Sequence, residues 1–309
     1  MSKRIAAIVN PVSGRRDLTP IIRRMGNELV SSGASFSLHR TECPGDATRI
    51  ARRLQDEADA VLVVGGDGTV CEVVNGLMQR KVPVLVFRGG TENLLARELD
   101  MPAAPDQIAR TLLEGSPIPY DVGVLNDRRF LSVAGIGFDA ECVLRMSATR
   151  RGHITHLDYF WPIWRTYWAH QFPRIQIEID GRLVFDGRGF AILGILPRYS
   201  AGMRILAEAV VDDGLLDVCI FPCTGRRQML GHAVRALAHR HVGRGGVRYL
   251  RGRHIVVTSN QCVPVEIDGD PAGSLPAEFT VLPHAARFLI LRPAGADHRR
   301  NREFIRENM

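Results

Sequence analysis

Lysine is nearly missing from this chain. Lys3 and Lys81 alone carry the type, and every other Lys-or-Arg position is arginine. That scarcity excludes two nucleotide devices. A phosphate loop of the form G-x-x-x-x-G-K-[ST] needs a lysine, and neither Lys3 nor Lys81 follows such a glycine pattern. A lysine closing a V-A-I-K strand, as protein kinases use, is missing too. Paired cysteines are also lacking. The cysteines at 43, 71, 142, 219, 223 and 262 form no C-x-x-C pair, and no histidine stands at ligand spacing from a cysteine pair. This argues against a zinc site or a disulfide framework and for free, buried thiols. No apolar run approaches the ~20 residues of a membrane span. The opening MSKRIAAIVNPVSG has too short an apolar stretch for a secretory signal. The chain reads as cytoplasmic.

What is present is a globular composition: 309 residues, 45% hydrophobic, with a net charge of +7. That length suits two ordinary domains or one large one. Up to about residue 115, strand and helix patterns alternate as in an α/β unit with a parallel sheet. RIAAIVN, SFSLHRT, AVLVV and PVLVF read as strands. LTPIIRRMGNELVSSG, GDATRIARRLQDEA (with Asp46 as a candidate cap), TVCEVVNGLMQR, TENLLAREL and DQIARTLLEG read as helices. From IPYDVGVLNDRRFLSVAGIG onward strands dominate. Asn126-Asp127 and Asp180-Gly181 are turn signals, and RIQIEIDGRLVFDG is a hairpin by its alternation. Helical patterns interrupt at about 139–150, 154–170 and 225–240. The second half is thus expected to be mainly antiparallel, a β-sandwich. The expected division is 1–118, 119–290 and a tail, 291–309, that either packs back on the first domain as a helix or stays disordered.

One stretch stands out. The buried strand AVLVV runs into Gly65-Gly66-Asp67-Gly68-Thr69, and a helix pattern follows. A helix N-terminus with free amides and roughly half a positive charge binds phosphate readily. Glycines let such a ligand approach the backbone. Thr69 adds a hydroxyl donor, and Asp67 makes sense beside an anion if Mg²⁺ sits between them. A strand-to-helix turn capped by Asp67 explains the same residues equally well. Three further strand ends tip the balance: NPVSGRR with Asn10, RTECPGDA with Thr41, and RGGTENLLA with Thr91. In an open α/β sheet these loops gather on the carboxyl edge, where ligands bind. GIGFDA formally fits G-x-G-x-x-A but has no acidic partner on a following strand. Its glycines are expected to permit close packing where the domains meet.

The ordered set NPVSG, GGDGTVCEVVNG, GGTENLLAR, GIGFDA, DDGLLDV and IDGDP resembles the diacylglycerol kinase catalytic-domain family. That superfamily includes bacterial lipid kinases and sphingosine kinases, and the likeness runs from about residue 4 to about 292. NAD kinases and phosphofructokinases share GGDGT but not the later motifs. The resemblance implies an NAD-kinase/diacylglycerol-kinase-like α/β domain that binds ATP, followed by the β-sandwich. It places the ATP phosphates on Gly65, Gly66, Asp67, Gly68, Thr69, Val70 and Cys71, with Thr41 and Thr91, and Asn10 at the border. It implies Mg²⁺ at Asp67 through water. It implies a structural Mg²⁺ on the Asp213 carboxylate and the carbonyls of Val210 and Leu215, where a plain Asp-Gly turn is nearly as good a reading. Two departures matter. Thr91 and Asn93 match the family's G-T-x-N-D-like segment, but the Arg88 and Glu92 surroundings differ. The family's D-G-E, whose Glu is the candidate proton acceptor, is Asp268-Gly269-Asp270 here. Asp270 has a reach shorter by about 1 Å. Read from the residues alone, EIDGDP is a hairpin turn; with the resemblance it also carries a carboxylate to the cleft.

The expected activity is therefore transfer of the γ-phosphate of ATP to a lipid hydroxyl, with Asp270 and Asp67 as catalytic residues. Rival readings are a sphingoid-base kinase, an NAD kinase, or a nucleotide- or lipid-binding protein without turnover. Charge points to a partner as well. From Val218 to Val265 there is no Asp or Glu, but there are eight Arg and four His. The helix pattern in RRQMLGHAVRALAHRHVGR has an apolar and a basic face, and all three Trp fall in HITHLDYFWPIWRTYWAHQF. Tryptophan favours membrane interfaces and basic residues favour anionic leaflets, so a peripheral membrane face is expected, against the alternative of a packed helix with a solvated basic side. Nucleic acid is not expected, because no recognition motif accompanies the basic patch. A homodimer is left open.

Overall fold

The computed structural model describes residues 2–13, 18–88, 93–149, 160–199 and 203–291. Its first half is a parallel sheet in the order β2-β1-β3-β4. These are β1 (Arg4–Val9), β2 (Ser35–Arg40), β3 (Ala60–Gly65) and β4 (Val84–Arg88). Every residue of β3 is buried, as a strand covered by helices on both faces requires. The covering helices are α1 (Thr19–Ser31), α2 (Asp46–Leu54), α3 (Asp67–Leu77), α4 (Leu94–Glu98) and α5 (Pro105–Glu114). Register fixes the edge that matters. Val9 lies beside Val64 and Arg40, and Gly65 lies beside Arg88, so all four strands end level with one another.

The second half adds β5 (Ser116–Leu125), β6 (Arg128–Phe130), β7 (Val133–Ile136), α6 (Phe138–Thr149), α7 (Phe160–Ala169), β8 (Arg174–Ile179), β9 (Arg182–Gly194) and β10 (Leu216–Pro222). It continues with α8 (Arg226–Leu237), β11 (Arg248–Gly252), β12 (His254–Thr258), β13 (Pro264–Ile267), β14 (Asp270–Ser274) and β15 (Ala277–Ile290). One sheet runs β6-β5-β15-β12-β8-β9 and the other β14-β13-β7-β9-β10-β11. The long β9 passes from one sheet to the other, which closes the sandwich. Phe130 and Phe279 meet edge to face in its core at 6.5 Å.

The long β15 also ties the halves together. Its first part pairs with β12 and the end of β5, its register shifts between Leu282 and Ala286, and Phe288 then pairs in parallel with Val84 of β4. The end of β15 and the start of β5 therefore extend the parallel sheet.

Three expectations change in detail. Asp46 does not cap its helix. Gly45, with φ +87°, holds the N-cap position, while Asp46 Oδ2 accepts the amides of Glu42 at 2.8 Å and Cys43 at 3.2 Å. It closes the preceding turn instead. The helix expected over TENLLAREL starts at Leu94, because Asn93 is left-handed at φ +49°. The GIGFDA glycines serve a place inside the β-rich half, not the junction. A Cβ on Gly135 would meet the carboxylates of Asp139 and Glu266. The C-terminal tail, Thr91, Glu92 and the start of the expected 154–170 helix lie outside the described residues.

Candidate active site

The level strand ends place Asn10, Thr41 and the Gly65–Thr69 turn on one edge. The Asn10 amide donates to the Val64 carbonyl at 2.9 Å, and its Nδ2 donates to Thr69 Oγ1 at 3.1 Å. Its Oδ1 accepts the Val12 amide at 3.1 Å, so one side chain fixes both the β1 loop and the start of α3. The Thr41 amide donates to the Val9 carbonyl at 3.0 Å, and Thr41 is buried beside it. Gly65 must be glycine, since a Cβ there would stand 2.7–2.9 Å from the Thr69 side chain. Gly68 is different: a Cβ there meets no protein atom within 4 Å. The fold does not need that glycine.

Two helix N-termini compete for anions on this edge, and the structure treats them unequally. The amides of Gly45 and Ala47, at the start of α2, are taken by the Glu72 carboxylate at 3.0–3.2 Å. At α3, Gly66 is the N-cap and no side chain caps the helix. Glu72 thus fills the first site, and among the described residues no side chain caps the second. Asp67 turns sideways, and its Oδ2 accepts the Leu94 amide at 3.2 Å. This joins α3 to the segment after β4. Arg88, flagged as a departure, points inward: its guanidinium donates to the carbonyls of Ala96 at 3.3 Å and Met101 at 2.9 Å.

The acidic hairpin stands opposite. β13 and β14 flank Asp268-Gly269, both at positive φ. Asp268 Oδ2 accepts the Leu131 amide at 2.7 Å, and Oδ1 accepts Ser132 at 2.8 Å and Val133 at 3.2 Å. Burial pushes its pKa up to about 7, with Asp67's charge adding, against the pull of those amides. Asp270 begins β14 and is exposed. The neighbourhood of the two turns shows in Cys71. Burial first, then the charges of Asp268, Glu72 and Asp270, hold its thiol protonated. β6 is the bridge between them. Cys71 Sγ donates to the Arg129 carbonyl at 3.4 Å, Arg129 reaches Asn75 Oδ1 at 3.4 Å, and Arg128 donates to the Pro271 carbonyl at 2.9 Å.

Beneath the hairpin lies a carboxyl pair that the sequence did not announce. Glu266 is 2% exposed and Asp139 8%. Glu266 Oε2 accepts the Gly269 amide at 2.8 Å, and Tyr199 donates its hydroxyl to Asp139. Burial first, then the Asp139 charge, raises the Glu266 pKa well above the carboxyl range. One proton shared between the two acids satisfies both buried oxygens. Arg198 and Arg204 were missed as well. They reach Glu98 of α4 at 3.1 and 3.4 Å, from the far half of the chain to the segment after β4.

The Asp213 turn lies elsewhere, at the start of β10. Asp213 Oδ1 accepts the Leu215 amide at 3.0 Å. Asp121 accepts Gly214 at 2.6 Å and His284 at 2.7 Å. Burial raises the Asp213 pKa against the pull of the Leu215 amide and the Arg251 charge, with Asp121 and Asp212 adding to the rise. Among the described residues no cluster of three or more His, Cys, Asp or Glu side chains forms a metal site, so a cation here would draw on backbone carbonyls.

Two family models match successive stretches of this chain. The diacylglycerol kinase catalytic domain matches residues 4–125, and the YegS C-terminal NAD kinase beta sandwich-like domain matches 132–290. The chain belongs to the diacylglycerol kinase catalytic-domain family. A diacylglycerol kinase of Bacillus subtilis is 29% identical over 91% of this chain and 94% of its own length. One of Staphylococcus carnosus is 29% identical over 90% and 92%. The crystal structure of a diacylglycerol kinase from Bacillus anthracis superposes with a TM-score of 0.71 at 20% identity, over 95% of this chain and 98% of that one, and shares the fold. A family member of this kind is an ATP-dependent lipid kinase. Among the described residues no helix is long and apolar enough to cross a membrane.

Proposed function

We propose that this lipid kinase moves the γ-phosphoryl group of ATP to the free hydroxyl of diacylglycerol. In this reading residues 1–118 bind the nucleotide and 119–290 present the lipid. The triphosphate lies against the amides from Gly65 to Cys71, with Asn10, Thr41 and Thr91 around it. Asp67 would hold Mg²⁺, which would offset the charge developing on the transferred phosphoryl group. A second Mg²⁺ on Asp213 and the carbonyls of Val210 and Leu215 would steady the β10 turn. The acceptor oxygen attacks the γ-phosphorus, the bond from that phosphorus to the ADP oxygen breaks, and the hydroxyl proton passes to Asp270. Asp268 is ill placed for that proton, because both its oxygens hold backbone amides. Positioning and electrostatics supply most of the rate in such transfers. The enzyme works from the cytoplasm at a membrane surface.

One observation carries this reading: an uncapped helix N-terminus stands across from an exposed carboxylate that opens β14. Radiolabelled ATP with mixed lipids in detergent micelles tests it. Label should enter diacylglycerol, and Asp270→Ala should abolish labelling while ATP still binds. Label in a sphingoid base or in NAD would replace the acceptor. ATP binding with no labelled product from any acceptor would replace the reaction.

A further inference from the structure

A lipid kinase has to meet its acceptor at a bilayer, and the exposed surface of the β-rich half names where. All three tryptophans of the chain lie on α7. Trp161, Trp164 and Trp168 are 63%, 46% and 53% exposed. Their spacing of i, i+3 and i+7 puts them on one helix face. On α8, Leu230, Val234 and Leu237 form a second stripe at i, i+4 and i+7, each more than half exposed, while Met229, His232 and Ala236 face the core.

The two helices touch. Tyr167 donates its hydroxyl to the Arg226 carbonyl at 3.2 Å, and Arg226 donates to the Trp168 carbonyl at 2.5 Å. The Arg226 guanidinium lies 5.3 Å from the Trp168 ring centre. The two stripes therefore belong to one surface. Its border is basic, with Arg165 on α7, Arg226 and Arg227 at the start of α8, and Arg240 and Arg244 just beyond its end. Neither helix contains an acidic residue. The surface also adjoins the proposed reaction. α7 packs on α6, and α6 packs on β13 and β14, the hairpin that carries Asp270.

We infer that α7 and α8 dock on an anionic lipid leaflet, with the tryptophans and the Leu230–Leu237 stripe entering the interface and the arginines meeting lipid phosphates. Tryptophan beside aliphatic residues is the chemistry of the headgroup boundary, and surrounding arginines add attraction to negative lipid. A second copy fits worse, because a two-fold contact would set this basic border against itself. Nucleic acid fits worse too, because phosphate gives the aliphatic stripe nothing to bury against. The inference deepens the lipid-kinase reading and rests on it for the acceptor, but the docking test does not depend on turnover.

Because every tryptophan is on α7, intrinsic fluorescence reports this helix alone. Phosphatidylcholine vesicles containing phosphatidylglycerol should shift the emission to shorter wavelength, and brominated acyl chains should quench it. Vesicles of phosphatidylcholine alone should do far less. Leu230→Ser with Leu237→Ser should weaken binding and spare the fluorophores. Arg227→Glu and Arg240→Glu should each weaken it by about fivefold or more. These variants should phosphorylate a short-chain, dispersed diacylglycerol at the parent rate and lose activity on vesicles. Binding without a tryptophan shift places the contact elsewhere and overturns the proposal, as does no binding or equal binding to neutral vesicles. A shift that follows protein concentration without lipid assigns the face to a second copy. A shift produced by single-stranded oligonucleotide but not by vesicles assigns it to nucleic acid. If no lipid is ever phosphorylated, the kinase reading fails while the vesicle result still decides the face.

Discussion

The two turns that face each other across the candidate site are held in opposite ways. The Gly65–Thr69 turn is built from backbone. Among the described residues its side-chain bonds to neighbouring segments are few, Asn10 to Thr69 and Asp67 to the Leu94 amide, and one of its glycines answers to no packing need. The Asp268–Asp270 turn is built from buried acid. Asp268 holds three amides, and Glu266 holds a fourth from below. A cradle of amides can receive a highly charged phosphate without losing bonds of its own. A turn fixed by buried carboxyls stays rigid while it offers a carboxylate, but its stability depends on protonation. The first should therefore fail in binding and the second in folding.

Substitutions can break that contrast. The largest effect is expected at Asp270. Asp270→Ala should cut turnover by about 10²–10⁴-fold, the range for a lost general base, with ATP affinity and thermal midpoint unchanged. An equal loss of stability would make Asp270 part of the scaffold. Asp268→Ala is the folding counterpart. It leaves three amides without their acceptor and should destabilise by about 3 kcal/mol or more, read as a lower urea midpoint. Gly68→Ala comes next and sharpens the other side. Alanine in a helix gains about 1 kcal/mol over glycine, and no protein atom obstructs it. The melting point should hold or rise while ATP affinity falls roughly tenfold. Unchanged affinity would show that nothing lies against that backbone.

The smallest effect is a pH slope. The Glu266 pKa is raised in the folded protein, so the fold holds that proton more tightly than the unfolded chain does. Its contribution is fully present below the ordinary carboxyl range and is lost as pH rises through the raised value. Wild type should lose stability as pH rises above the ordinary carboxyl range toward the raised value. Glu266→Gln keeps a donor toward Asp139 and an acceptor for Gly269, and should flatten the slope, with the least change at acidic pH. An unaltered slope would assign the pH dependence to another group.

Much of the strand-end arrangement is legible in the sequence. Buried runs such as AVLVV, each ending in glycine or hydroxyl residues, give a parallel sheet with its loops on one edge. Local sequence points to the Asp268–Asp270 hairpin but not to what holds it. Asp268 binds Leu131, 137 positions away, and Arg198 binds Glu98 across 100. No periodicity or turn signal encodes a partner at that separation. Asp46 differs from its expected role for a related reason: a carboxylate at a helix start can cap the helix or the turn before it, and only the left-handed Gly45 decides between them.

Sequence alone determined the alternation of buried strands and amphipathic helices, the glycine-bearing strand ends, and the clustering of tryptophan and arginine with no acid between. All of these are local patterns, set by the pitch of a helix, the pleat of a strand and the steric limits of a turn. Tertiary structure decided that the N-terminus of α2 is filled, because Glu72 on α3 reaches it. It also decided which acid of the hairpin is consumed by backbone and which stands exposed. Those outcomes depend on where distant segments meet, and that is settled only when the sheets close and the core excludes water.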